Sequence, residues 1–176
     1  MGWAQASVTP FRLFKGFIAE GGIRSPLIVS GPGVGRAGEI ETAFTHVMDL
    51  APTLIEIGGA TYPRRWKGRE IVPMRGKSML PLLTGKSDFV RAEGEAIGWE
   101  LLGWRAIRMG QWKITWIDKP FGTSNWQLFD LANDPGETKD LSFDNPEQLQ
   151  RLMKMWDEYE EDVGIIFAEE DLPIGF

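Results

Sequence analysis

The sequence predicts a mixed α/β (α+β) chain, in which the end of an α/β layer is followed by a small α+β unit. Three observations predict it. A short apolar run, Leu27-Ile28-Val29, is entered and left through Gly and Pro and stands ahead of an amphipathic helical pattern. From Ala96 to Asp118, and again from Asn125, apolar and polar residues alternate. A long helical pattern closes the chain from Asp144. The character changes near residue 85, which divides the chain into segments 1–85 and 86–176.

The elements follow in order. Pro26 to Ser30 reads as a short strand, and its continuous apolar centre fits one covered on both faces, as in a parallel sheet. "THVMDLAPTLIEIGG" reads as a helix. Pro52 is tolerated near its first turn, Gly58-Gly59 ends it, and Val47, Leu50, Leu54 and Ile57 share one face. "ATYPRRWKGREIVPMRGKS" is rich in Pro, Gly and Arg and reads as a surface loop. A short helical turn follows near Leu80. The alternating stretch is broken at Met109-Gly110, a hairpin signal, and "NWQLFDLAND" supplies a further strand. The closing helix has Asn145 to cap it, Pro146 at its first position and Gln148 at capping-box spacing. Leu149, Leu152, Met153, Trp156 and Val163 form its apolar stripe. "GIIFAEEDLPIGF" is a tail with some apolar content.

Composition narrows the function. The chain carries a net charge of −6, a poor balance for nucleic-acid binding, where a basic face supplies most of the affinity. It has no cysteine and one histidine, which excludes a disulfide, a thiolate metal site, a cysteine nucleophile and a His-rich zinc site within these residues. No apolar run approaches the ~18–20 residues that cross a bilayer. The N-terminal stretch has Arg12 and Lys15 inside its apolar part, unlike a signal-peptide core. The compartment, bacterial cytoplasm or periplasm, is left open.

Two stretches carry a resemblance. "KGFIAEGGIRSP", Lys15 to Pro26, resembles the Lys-x4-Glu-Gly-Gly-x-Arg-x-Pro segment of the sulfatase family, specifically of bacterial arylsulfatases. "WQLFDLANDPGETKDLS", Trp126 to Ser142, is similar to that family's C-terminal signature. Between them, "HVMDLAPTLIEIGG" resembles its Asp-Leu-x-Pro-Thr-Leu helix and "WRAIRMGQWK" its Arg-x-Gly-x-Trp-Lys hairpin. The four segments stand in the family's order and cover nearly the whole chain, but only the C-terminal part of a full member.

The resemblance implies the end of a large alkaline-phosphatase-like α/β domain, then a four-stranded antiparallel sheet packed on a C-terminal helix. It implies hydrolysis of a small-molecule sulfate ester by a parent enzyme that uses calcium and formylglycine. Lys15 matches a family cation that binds the sulfate, as a catalytic and substrate-binding residue. A positioned ammonium neutralises charge spread over sulfuryl oxygens in the transition state. Gly21-Gly22 permits a tight turn, and Glu20 and Arg24 read as scaffold. No Cys/Ser-x-Pro-x-Arg nucleophile motif stands here. In "SVTPFR" the residue two before Pro10 is Val8. The calcium ligands also belong to upstream segments, so the chain is expected to need a missing N-terminal catalytic portion and to be inactive alone. Phosphate or phosphonate ester hydrolysis on a related scaffold is the alternative within enzymes. A non-catalytic module or decayed gene product is the alternative outside them.

Other patterns read as structure. "GVGRAG", Gly33 to Gly38, matches Gly-x-Gly-x-x-Gly, but no helix opens at its last glycine to receive a pyrophosphate. His46 reads as a cap or a packed side chain. Asp130, Asp134 and Glu137 lack the ligand pattern of an EF-hand and read as a turn. The tryptophans of the alternating region read as core, with Trp99 and Trp104 as candidates for a pocket rim. "RRWKGR", Arg64 to Arg69, reads as a solvated loop that could attract anionic esters.

Overall fold

The computed structural model describes residues 2–167. In chain order it holds α1 (Gly2–Ser7), α2 (Glu20–Ile23), a 3₁₀ turn (Val47–Asp49), α3 (Leu50–Ile57), β1 (Arg65–Trp66), β2 (Arg69–Glu70), α4 (Leu80–Leu83), β3 (Ala96–Leu101), β4 (Trp104–Met109), β5 (Trp112–Trp116), β6 (Trp126–Asp130) and α5 (Pro146–Val163). The chain packs as two compact units. One runs to Pro26 and resumes at Glu93; the other is Leu27–Ala92.

The first unit is built on a four-stranded antiparallel sheet in the order β3-β4-β5-β6. The alternating sequence splits into more strands than its periodicity indicated, because Leu102 (φ +57°) and Gly103 (φ +86°) make a tight turn inside what read as one run. Alternation then assigns the two faces. Ile107, Met109, Ile114 and Leu128 point one way and pack against Leu152 and Trp156 of α5. Trp104, Ala106, Lys113, Thr115 and Phe129 point the other way and are buried. Trp104 and Ala106 lie under Phe17, Ile18 and Ala19. The sheet is thus covered on one side by α5 and on the other by the N-terminal segment.

Helix α5 starts at Pro146, as its sequence indicates. Asn145, however, makes no side-chain cap bond. Its backbone, at φ −134° and ψ 62°, lies outside the extended geometry that aims a cap oxygen at the first turn. Gly164, at φ +68°, ends the helix in the left-handed conformation. Tyr159 continues the apolar stripe onto the sheet, where Gly98 leaves it room; Val163, in the last turn, is exposed. Ile165 and Phe167 pack beside the same core; the rest of the apolar tail lies outside the described residues.

In the second unit the expected strand Pro26–Ser30 does not form, and Ile28 is 92% exposed. A strand needs a neighbour to satisfy its backbone, and no described strand pairs with this stretch. The expected helix does form, shorter and led by the 3₁₀ turn. Its apolar face, with Val47, Leu54 and Ile57, is exposed. The Arg-rich stretch is not wholly a loop: β1 and β2 make a small antiparallel hairpin around Lys67 and Gly68.

Candidate functional site

Lys15 stands exposed on a turn between Leu13 (φ +58°) and Gly16 (φ +102°). Directly after it, Phe17, Ile18 and Ala19 are buried, and the Phe17 ring stacks on Trp104 at 4.7 Å with the planes 5° apart. The exposed cation is therefore joined to a rigid wall of the core. The two glycines close the turn. A Cβ on Gly21 would lie 2.2 Å from the Leu13 carbonyl oxygen, and one on Gly22 2.0 Å from that of Phe17. The Gly21 N–H donates to the Arg12 carbonyl at 2.9 Å, which fastens α2 to the chain ahead of the turn.

Beneath this turn lies a buried ionic clamp. Lys113 Nζ, on β5, donates to Glu20 Oε1 at 2.9 Å and lies 2.9 Å from Glu137 Oε1. The Glu20 N–H donates to Glu137 Oε2 at 2.8 Å, and Arg108 lies 4.0 Å from Glu20 Oε2. The Lys113 side chain has no exposed surface. Burial pushes the Arg108 guanidinium below its ordinary value, against the opposing pull of Glu20. Two carboxylates face two cations, so the cluster is neutral and serves as a strut. Its members come from three motifs far apart in sequence: Glu20 beside the Gly pair, Arg108 and Lys113 on the hairpin, and Glu137 in the last signature. Sequence reasoning assigned Glu20 to scaffold, placed Glu137 in a turn and gave Lys113 no role. The available signal was a lysine inside a strand whose neighbours all read as core. Arg24 lies over the Phe11 ring at 4.6 Å.

The second unit has its own buried pair. Arg91 clasps Asp49 with both nitrogens, at 2.7 and 2.5 Å, and Asp49 also accepts the N–H groups of His46 (2.7 Å) and Lys77 (2.9 Å). Burial tends to raise the Asp49 carboxyl, but Arg91 and the two N–H donors outweigh it and hold it below the usual range. His46 caps the turn, accepting from the Met48 N–H through Nδ1 at 3.2 Å, and burial with the nearby Arg91 lowers its pKa. Thr53 accepts the Met79 N–H at 2.8 Å and donates to the Asp49 carbonyl at 2.6 Å.

The other patterns fall into place as structure. Gly33 to Gly38 form a loop that runs into extended chain, and Gly35 is needed because a Cβ there would meet the Thr84 carbonyl oxygen at 2.6 Å. Asp130 accepts from Ala132 and Asn133, and Asp134 from Thr138 and Lys139, which makes the turn. Trp104 is core and Trp99 packs beside it, half-buried. Among the described residues no group of three or more His, Cys, Asp or Glu could hold a metal ion. Ser7 Oγ donates to the Ala4 carbonyl at 2.8 Å at the end of α1. Lys15 is the exposed ammonium of this turn.

Comparison with known proteins gives the class first. Residues 11–162 match the family model described as N-sulphoglucosamine sulphohydrolase, C-terminal, so the chain carries a sulfatase C-terminal region. It is 39% identical over 171 residues to an uncharacterized sulfatase of Schizosaccharomyces pombe, covering 96% of this chain and 30% of that protein. It is 34% identical over 160 residues to a sulfatase of Formosa agariphila, covering 84% of this chain and 28% of the relative. The crystal structure of Ps i-CgsB in complex with k-i-k-neocarrahexaose superposes with a TM-score of 0.70 at 26% identity, over 86% of this chain and 32% of that one. The chain belongs to the sulfatase family, and its fold is the closing part of the alkaline-phosphatase-like architecture. It spans about 30% of the length of the curated relatives it matches. The motifs resembled those of bacterial arylsulfatases; with a fungal protein among the relatives, the membership is that of the sulfatase family as a whole.

Proposed function

We propose that this chain is the C-terminal portion of a sulfuric ester hydrolase and that it supplies Lys15 to the sulfate-binding pocket. The observation that carries this reading is the junction of the exposed Lys15 turn with the buried Glu20–Lys113–Glu137 clamp. A cation contributes to catalysis only if it is already in place when charge develops, and the clamp fixes the backbone that bears it. The family match supports the reaction class. The description of the family model, and the neocarrahexaose in one related structure, support a carbohydrate as the alcohol part of the ester; an aryl ester is the simplest test substrate.

In this reading calcium and formylglycine belong to the longer protein. The described residues offer no cluster that fits a metal ion. Lys15 would bind and orient the sulfuryl oxygens, and the 176-residue chain alone would not turn over. The test is Lys15→Ala in the longer protein, assayed on an aryl sulfate. The expected result is a loss of ~10²–10³ in kcat/KM, the usual effect of deleting one preorganised donor, with the melting temperature unchanged. A rate equal to the wild type would remove Lys15 from the site.

A further inference from the structure

The two units differ in charge. Leu27–Ala92 holds nine Lys and Arg against six Asp and Glu, whereas the remaining residues hold ten against nineteen. The positive charge of this otherwise acidic chain concentrates on the hairpin of β1 and β2, which carries Arg64, Arg65, Lys67 and Arg69 within six residues. Every residue from Arg64 to Glu70 is exposed.

The hairpin is ordered by its own bonds. Lys67 (φ +50°) and Gly68 (φ +82°) form the tight turn, Arg65 donates to the Gly68 carbonyl at 3.0 Å, and Ile71 N–H bonds the Arg64 carbonyl at 3.0 Å. Register then places the side chains. Trp66 is opposite Arg69 and Arg65 opposite Glu70, so Trp66 shares its face with Arg69 across the strands and with Arg64 along its own. An indole that is 64% exposed thereby stands between two arginine positions of the hairpin. Beside the hairpin an open groove of about 780 Å³ is lined by Tyr62, Arg64, Arg65, Glu70, Ile71 and Met74 among others, with Trp66 and Arg69 outside its lining.

We propose that this face binds a sulfated oligosaccharide through Trp66 and its neighbouring arginines. The inference rests on the reading above that the protein acts on carbohydrate sulfates. The chemistry is complementary on both counts. The apolar face of a pyranose ring stacks on an aromatic plane. Sulfate oxygens accept paired N–H bonds from the guanidinium fork, which is the geometry that favours Arg for planar anion recognition. A solvated loop needs the charges but not the tryptophan set between them.

The test titrates a heparin-derived hexasaccharide, and its desulfated form, into the 176-residue chain. The sulfated form should bind at least tenfold more tightly, with affinity falling as salt rises. Arg64→Glu with Arg69→Glu should lose roughly tenfold or more and flatten the salt dependence. Trp66→Ala should lose roughly fivefold with the salt dependence unchanged. Should the charge reversal disturb the hairpin, Trp66→Ala and the salt series carry the test. Unchanged binding in the charge-reversal variant would overturn the proposal. So would a desulfated form that binds as tightly as the sulfated one. The functional reading is judged separately: sulfatase activity without hexasaccharide binding sinks only this subsite, and binding without activity sinks only the enzyme.

Discussion

Lys113 shows how much one residue can hold together. It is an ammonium with no exposed surface, satisfied by carboxylates from two distant segments. Removing one member of a buried pair leaves its partners charged and unmatched, at a cost of about 3–5 kcal/mol. Lys113→Met should therefore lower the urea midpoint strongly. Adding Glu137→Gln should recover part of the loss, because Glu20 keeps Arg108 and the second carboxylate no longer needs the lysine. A double variant less stable than the single one would contradict the clamp. Asp49 makes a pH-dependent counterpart. Its folded pKa lies below the ordinary value of 3.8, so its contribution is fully present above that value and is lost as pH falls through the lower folded value. The stability gap between wild type and Asp49→Asn, from urea melts, should be constant above pH ~4 and shrink below it. A gap that widens on acidification would show that the sign is wrong. The proposal for Lys15 rests on its motif: nothing in its local chemistry separates it from a surface lysine, and the structure leaves it exposed.

At the scale of elements, alternation and helical periodicity read well. Both sides of the sheet and the Leu152–Trp156 stripe of α5 follow from residue order alone, because side chains alternate along a strand and return to one face of a helix. The turn at Leu102-Gly103 was missed because the alternation on either side was read as continuous across Leu101-Leu102-Gly103, where it breaks and where the positive φ values place the reversal. The Pro26–Ser30 strand was over-read for the opposite reason. Its composition is that of a buried strand, but composition cannot supply the partner whose backbone a strand requires. The clamp was invisible as a unit because Glu20 and Lys113 are 93 residues apart. Close packing gives a direct check on the sheet–helix interface. A Cβ on Gly98 would sit 2.4 Å from the Tyr159 ring, so Gly98→Ala must push Tyr159 off the sheet, at about 1–3 kcal/mol. The companion Gly98→Ala/Tyr159→Leu variant should regain stability in thermal melts. A fully stable Gly98→Ala would contradict the close approach.

For the molecule as a whole, the family match, the layered sheet and the ordered motifs describe one thing: a sulfatase's C-terminal region, acidic in the unit that bears Lys15 and basic in the unit that bears the hairpin. The exposed apolar face of α3 and the unpaired Leu27–Val29 run lie in the basic unit. We propose that the longer protein cleaves sulfate esters, rather than phosphate esters, and needs this chain's lysine to do so. The most direct measurement is release of sulfate from an aryl sulfate, beside release of phosphate from the matching aryl phosphate, by the protein of the complete reading frame. Sulfate should be the preferred product, and the rate should collapse in Lys15→Ala. Preferred release of phosphate, or release of neither, would contradict it.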